Sequence, residues 1–293
     1  MTLSRQVGGP VRGSAGGPVR GFVGDSVGAY LIYAIIGVYV LAAIAGPYLV
    51  PYDPVATVVT ERLLPPGSPT AAGTAWLGTD GVGRDVLAQV VHGARTSLTI
   101  GVVVVLLCSI VGVALGAVAG YAGGFADVAV ARTIDVLMAF PGILLAIVIA
   151  GLLDRGVDVV IIALSVAGWI GFARLSRSVA LSVRERDWVD AARIMGVRTP
   201  AVLGRHVVPF LAGPVVALAT MELASVVLSE AALSFLGLGL PPYVVSWGQS
   251  IAGGKEYLAT AWWISAFPGI ALTVLVVCIG LVGDRLTKRF AQR

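Results

Sequence analysis

The chain has 293 residues, 57% of them hydrophobic and only 12% charged, with a formal net charge of +4 and a mean hydropathy of +0.93. A soluble domain carries about a quarter charged residues, so this composition excludes a water-soluble enzyme or binding module and predicts an all-α integral membrane protein. The positive charge is small and sits between apolar stretches, which does not point to nucleic acid.

Residues 1–27 are Gly-rich and carry G-G-P-V-R-G twice, at Gly8–Gly13 and Gly16–Gly21. Two copies are too few for a repeat fold, and the composition predicts a disordered tail. A charge-free run over 30–50 follows. It exceeds the apolar core of a signal peptide, so a retained helix is expected. Residues 51–96 are expected to form a long external segment, with Pro65-Pro66 and W-L-G-T-D-G-V-G-R-D-V-L from Trp76 to Leu87. There Asp80 and Asp85 flank Arg84, which suggests a structural charge network.

Further spans, each needing about 20 apolar residues, are expected between Arg95 and Asp127, between Asp135 and Asp154, and between Asp158 and Arg174. The last is short and requires Arg174 and Arg177 to snorkel to the interface. Pro141, in the third span, frees a backbone carbonyl and is expected to kink the helix.

The segment 181–209 is the longest strongly polar stretch. Asp190, Ala191, Ala192 and Arg193 fit a short helix with an acid near its start. Gly196 suits the left-handed position just past a helix end. Thr199 and Pro200 resemble an N-cap and N1 pair opening a second short helix, and Pro209 marks re-entry into the membrane. Small residues at Ala191, Ala192 and Gly196 would let a partner approach closely. The plainer alternative is an ordinary basic loop.

The fifth span runs from Pro209 to about residue 236 and contains Glu222 and Glu230. A carboxylate inside a membrane is costly and faces a water-filled path or a partner. Eight residues is about 80° around a helix, so the two share a broad face. They line a substrate route, or Glu230 meets a polar group at a helix contact, or either lies near the interface. A second external segment is expected at 237–261, with Pro241-Pro242 and Ser246-Trp247-Gly248. The sixth span, between Glu256 and Asp284, carries Pro268, expected as another kink. Residues 287–293 read as a short C-terminal tail, leaving 28–286 as one membrane domain.

Lys and Arg counts set orientation. With six spans both termini share a side, which holds fifteen basic residues against five on the other. Both termini and the loop containing Arg198 and Arg205 are therefore expected in the cytoplasm. There is no G-x-x-x-x-G-K-[ST] loop, so this chain is not expected to hold ATP. No G-x-S-x-G, H-E-x-x-H or Cys cluster suggests an enzyme. Cys108 and Cys278 read as small hydrophobes, and His92 and His206 stand alone without metal-ligand spacing.

Asp190-Ala191-Ala192, Gly196 and Pro209 resemble the EAA loop of bacterial ABC importer permeases. The resemblance extends to dipeptide and oligopeptide importers. It is carried by Gly78-Thr79-Asp80 with Gly83-Arg84-Asp85, Gly93–Leu98, Ala139-Phe140-Pro141-Gly142, Gly168-Trp169, Leu181–Asp187, Arg205-His206, Leu228-Ser229-Glu230-Ala231, Leu233–Gly239, Ser246-Trp247-Gly248 and Phe267-Pro268-Gly269. It covers roughly residues 50–286 and looks like the C-type of the two permeases in such importers. Departures are Asp190 for the usual Glu, Val208 for the Leu before Pro209, and Ala88-Gln89 for a common Ser-Arg.

The resemblance implies a six-helix type I permease bundle in the bacterial inner membrane. It implies a cytoplasmic coupling elbow at 181–209, with Asp190, Ala191, Ala192, Arg193, Gly196, Arg198, Arg205, His206 and Pro209 at the ATPase contact. The implied partners are a B-type permease, two ATP-binding subunits (or one fused ATPase) that hold ATP and magnesium, and an external substrate-binding protein. Nickel chelates and glutathione are alternative cargoes. An ion-coupled secondary transporter using Glu222 or Glu230 is the alternative from another class; it predicts two similar halves, which this sequence does not display. A non-transporting scaffold would need neither the elbow nor the intramembrane acids.

Overall fold

The computed structural model describes residues 22–50, 53 and 55–291. The tail assigned to 1–27 therefore lies mostly outside the described residues. Helix α1, Phe22–Leu49, already takes in its last six positions. Four more long helices are apolar enough to span: α2 (Val86–Ala122), α5 (Val157–Arg184), α8 (Val208–Phe235) and α10 (Trp263–Ala291). Helix α10 continues through most of the segment read as a C-terminal tail.

The third predicted span is not one kinked helix. It is a pair, α3 (Gly124–Met138) and α4 (Gly142–Leu152), bent by 81° at a complete break. At 1.5 Å per residue, the 11 residues of α4 reach about half way across the hydrocarbon. Six crossings result only if the bent pair counts as one. At the break, the amides of Ala139 and Phe140 bond back three residues to Val136 and Leu137. Pro141 then leaves the helical region (ψ 121°) and caps α4. Pro141 therefore separates two helices instead of bending one. Pro268 does lie inside α10, and so does Pro214 inside α8.

Arg174 and Arg177 do not snorkel at the end of a short span, because α5 runs two turns past them. Arg177 instead makes a two-pronged ion pair with Asp127 of α3, at 2.5 and 2.9 Å. Arg174 lies 3.2 Å from the Met138 sulfur.

The bundle is organised on α2, which packs along α5 and also against α1 and α8. The α2–α5 seam is a ladder of glycines four apart: Gly112, Gly116 and Gly120. A β-carbon at Gly112 would stand 2.5 Å from the Trp169 carbonyl, and one at Gly120 2.6 Å from that of Arg177. One at Gly116 would fall on the Ala173 carbonyl. In hydrocarbon, helices gain little from hydrophobic expulsion and associate by such close backbone approach.

One end of the bundle carries a cap. It comprises a hairpin of β1 (Ser68–Thr70) and β2 (Gly73–Ala75), the loop into α2, and the short helix α9 (Trp247–Gly254). The opposite end carries α6 (Asp187–Ile194) and α7 (Thr199–Val202).

Candidate functional site

Helix α6 ends as its glycine suggests. The Val197 amide bonds the Ala192 carbonyl at 3.0 Å and Gly196 sits at φ 78°, a Schellman stop. The next helix opens one residue earlier than expected. Arg198 is its N-cap, without a side-chain bond, and Thr199 and Pro200 form its first turn. There is also no second free-standing helix before the membrane. A π-helical stretch, Leu203–Val207, joins α7 directly to α8, with Pro209 inside the first turn of α8. Helix α7, the π turn and α8 thus form one continuous rod, joined to α6 by the turn at 195–198.

Val189, Val202, Val207 and Leu211 are fully buried against the elbow-end turns of α2 and α5. Ala192 is 8% exposed, so it faces this chain's own core and is not available to a partner. Asp190, Ala191, Gly196, Arg198, Arg205 and Pro209 are exposed. Arg193 and His206 lie on the elbow backbone, at the end of α6 and in the π turn. Between the small residues stands an apolar tip that the sequence reading missed. Ile194 is 88% and Met195 75% exposed. The signal was present as two large apolar residues in a polar segment, but only the packing shows which apolar positions point inward.

At the other end, Asp80 organises the cap. Its carboxylate accepts from the Val82 and Arg84 amides (both 2.9 Å), from Arg84 Nε (2.7 Å) and from Gln89 Nε2 (2.9 Å). Gly78 and Gly83 take positive φ around it. Thr79 donates to the Glu61 carbonyl at 2.6 Å, and its own carbonyl accepts from Trp263 Nε1 at 3.1 Å. Asp85 does not join the charge network. It caps α2 by accepting from the Ala88 amide at 2.7 Å; burial lifts its carboxyl above the usual range, against the pull of the Ala88 and Leu87 amides. Gln89, one of the departures from the family pattern, is buried and also accepts from Ser250 at 2.8 Å, tying α2 to α9.

The two glutamates of α8 part company. Glu230 has no exposed surface. Its oxygens accept from Ser97 of α2 and Ser234 of α8, each at 2.7 Å, and it also meets Ser246 at the start of α9. Trp247 is buried and donates to the Val90 carbonyl at 2.9 Å, while Gly248 lies so close to α8 that a β-carbon there would meet the Ala231 carbonyl. Ser246-Trp247-Gly248 thus seats α9 on α2 and α8 around Glu230. Replacing Glu230 with Leu leaves the Ser97 and Ser234 hydroxyls without their acceptor, each costing about 1–3 kcal/mol. The unfolding midpoint in detergent should fall by about 5 °C or more. Glu230→Gln, which keeps volume and an acceptor oxygen, should lose less, and a midpoint equal to wild type for Glu230→Leu would refute this role.

Glu222 is half-buried near the middle of α8. It lines a cavity of about 190 Å³ with Gly142, Ala167, Gly168, Ser225 and Ser229. Among the described residues no side chain or amide bonds it, and no group of three or more His, Cys, Asp or Glu could hold a metal ion.

Comparison with known proteins places these features in a family. Residues 112–293 match the binding-protein-dependent transport system inner membrane component. A Brucella suis biovar 1 (strain 1330) protein, provisionally named a peptide transport system permease, is 43% identical over 249 residues, covering 85% of this chain and 82% of its own. The di/tripeptide transport system permease protein DppC of Pseudomonas aeruginosa (strain UCBPP-PA14) is 36% identical, covering 84% and 82%. The dipeptide transport system permease protein DppC of Bacillus subtilis (strain 168) is 34% identical, covering 87% and 78%. In fold, the chain is similar to a chain of the MetNI methionine ABC transporter in an inward-facing conformation, with a TM-score of 0.56 at 20% identity, covering 69% of this chain and 96% of that one. The chain belongs to the family of inner-membrane permease components of binding-protein-dependent ABC importers.

Proposed function

We propose that this permease imports short peptides, and that ATPase subunits drive it through the 181–209 elbow. The carrying observation is the elbow's construction. An exposed apolar tip, Ile194-Met195-Gly196, is held by a Schellman stop and connects, across the short turn at Val197-Arg198, to the rod formed by α7, the π turn and α8. A tip docked in a partner's cleft would move α8 as a rod. A rod held at Glu230 would carry that movement to the cap. Peptide as cargo is supported by the names of the relatives, which are peptide, dipeptide and di/tripeptide permeases.

In this reading a B-type permease completes the path, ATP and magnesium belong to two ATPase subunits or one fused chain, and an external binding protein delivers peptide to the cap. ATP binding must favour one arrangement of the two bundles over the other for the coupling to work. Ala192, being enclosed, supports the elbow from within; Asp190, Ala191, Gly196, Arg198 and Arg205 are the polar and small surface around the tip.

The orientation follows from the basic residues, with the elbow and both termini cytoplasmic and the cap outside. Tyr243, 74% exposed on the cap, and Arg198, exposed on the elbow, test it. In intact cells a membrane-impermeant thiol reagent should label Tyr243→Cys and spare Arg198→Cys until the membrane is opened. Labelling of Arg198→Cys from outside would reverse the topology and remove the elbow from reach of ATP.

A further inference from the structure

The intramembrane carboxylate of Glu222 is the one acid in α8 that the fold does not use. It is the fifteenth of the 28 residues of that helix, so it lies near the middle of that span. Glu230, two turns on, is enclosed by serines, but Glu222 has no bonding partner among the described residues. Its Oε1 lies over α5, 3.6 Å from where a β-carbon on Gly171 would stand, so the absence of a side chain there leaves the carboxylate room. An ionisable group at this depth faces a polar path or a partner.

The cavity it lines belongs to a row along α5. Ala167 and Gly168 line the Glu222 cavity, and Arg174, Arg177 and Ser178 line a second cleft of about 840 Å³ nearer the elbow. The break between α3 and α4 lies between them, with Ala139 on the elbow-side cleft and Gly142 on the Glu222 cavity. At about 190 Å³ the Glu222 cavity is smaller than the roughly 300–1,000 Å³ of a full ligand site. It fits a charged group and the atoms beside it. An unblocked peptide offers such a group whatever its side chains, because its α-amino group (pKa about 8) is mostly protonated at neutral pH.

We propose that Glu222, with the hydroxyls of Ser225 and Ser229 on the cavity wall, is the station that receives the ammonium group of a passing peptide. A carboxylate flanked by hydroxyl acceptors suits a primary ammonium, which has three donors and no acceptor. Recognition of that group alone would give a path that discriminates little between side chains.

This proposal rests on the peptide-import reading, and the test separates the two. The full complex, with its ATPases, partner permease and binding protein, is reconstituted in proteoliposomes with Cys108 and Cys278 replaced and Ser225→Cys introduced. Labelling rates are measured with a cationic and an anionic methanethiosulfonate, normalised to their rates with free cysteine. The cationic reagent should react about tenfold faster, the preference should vanish with Glu222→Gln, and dialanine should slow the cationic reaction. In the unlabelled complex, Glu222→Gln should cut dialanine uptake at least fivefold and Glu222→Asp should restore much of it. Equal rates for the two reagents, no reaction with either, or a preference unchanged by Glu222→Gln would overturn the proposal. If Glu222→Gln fails to assemble, Ser225→Ala/Ser229→Ala decides: wild-type uptake overturns the proposal and reduced uptake supports it. Absence of ATP-dependent dialanine uptake by the wild-type complex would instead refute peptide import, whatever the labelling shows.

Discussion

Gly116→Leu should abolish the folded permease. Gly116 is the middle rung of the seam between α2 and α5, and any side chain there lands on the Ala173 backbone carbonyl. A backbone cannot rotate away as a flexible side chain can, so the two helices must separate. Gly112 and Gly120, one turn to either side, are held almost as close, and separation at Gly116 loosens both. Overpacking a core costs about 1–3 kcal/mol where neighbours can adjust; here they cannot, and total stability is only about 5–15 kcal/mol. Recovery of a monodisperse species in mild detergent should fall about tenfold or more, and Gly116→Ala should show a milder form of the same defect. Gly280→Ala is the control, since nothing lies within 4 Å of a β-carbon at that position of α10. Removing a helix-interior glycine there is neutral to slightly stabilising. Wild-type recovery of Gly116→Leu would mean that α2 and α5 do not meet as described.

Ile194→Asp/Met195→Asp should uncouple transport while leaving the permease folded. Both side chains point away from the bundle, at 88% and 75% exposure, so two carboxylates there cost the isolated chain little. In a docked complex the same carboxylates would be buried against an apolar cleft. Losing an apolar anchor at the centre of an interface costs about 2 kcal/mol or more where it is a hot spot, so peptide uptake and its ATPase stimulation should fall at least tenfold. Thermal stability of the permease should stay within about 2 °C of wild type, as expected for surface changes. Ala192→Trp makes the contrast. Ala192 is enclosed by the elbow's own packing, so that variant should lower stability first and coupling as a consequence. Wild-type uptake in the double-aspartate variant would place the ATPase contact elsewhere.

Long runs poor in charge were enough to find α1, α2, α8 and α10 and the first part of α5, because hydrocarbon tolerates few charges. The same reasoning failed at 124–152. Helix α3 carries Asp127, Arg132 and Asp135 and is no apolar run, and a proline in an apolar stretch reads equally as a kink or as a break. The distinction lies in ψ at Pro141, which no local pattern encodes. Within the elbow, Gly196 was legible because a left-handed helix stop strongly favours glycine. The N-cap was misplaced by one residue, since Thr199 offers a better capping side chain than Arg198 and the chain does not use it.

Hydropathy also cannot separate a lipid face from a helix contact. Gly112, Gly116 and Gly120 stand four apart in plain view, yet only packing names Trp169, Ala173 and Arg177 as what they touch. For the same reason the sequence left Glu230 open between a substrate route and a polar helix contact, and packing assigns it to the contact. The serine that encloses Glu230 from α2 is 133 residues away, beyond any local pattern.

In the proposed function, ATP hydrolysis by partner subunits reaches this chain through its elbow and drives peptide uptake. The direct measurement is dialanine accumulation in proteoliposomes holding the full complex, with ATP supplied on the elbow side and the proton gradient collapsed by an ionophore. Accumulation should require ATP, survive loss of the gradient, and fall at least tenfold in Ile194→Asp/Met195→Asp. Accumulation that proceeds without ATP and stops when the gradient is collapsed would contradict the account and assign Glu222 to an ion-coupled carrier.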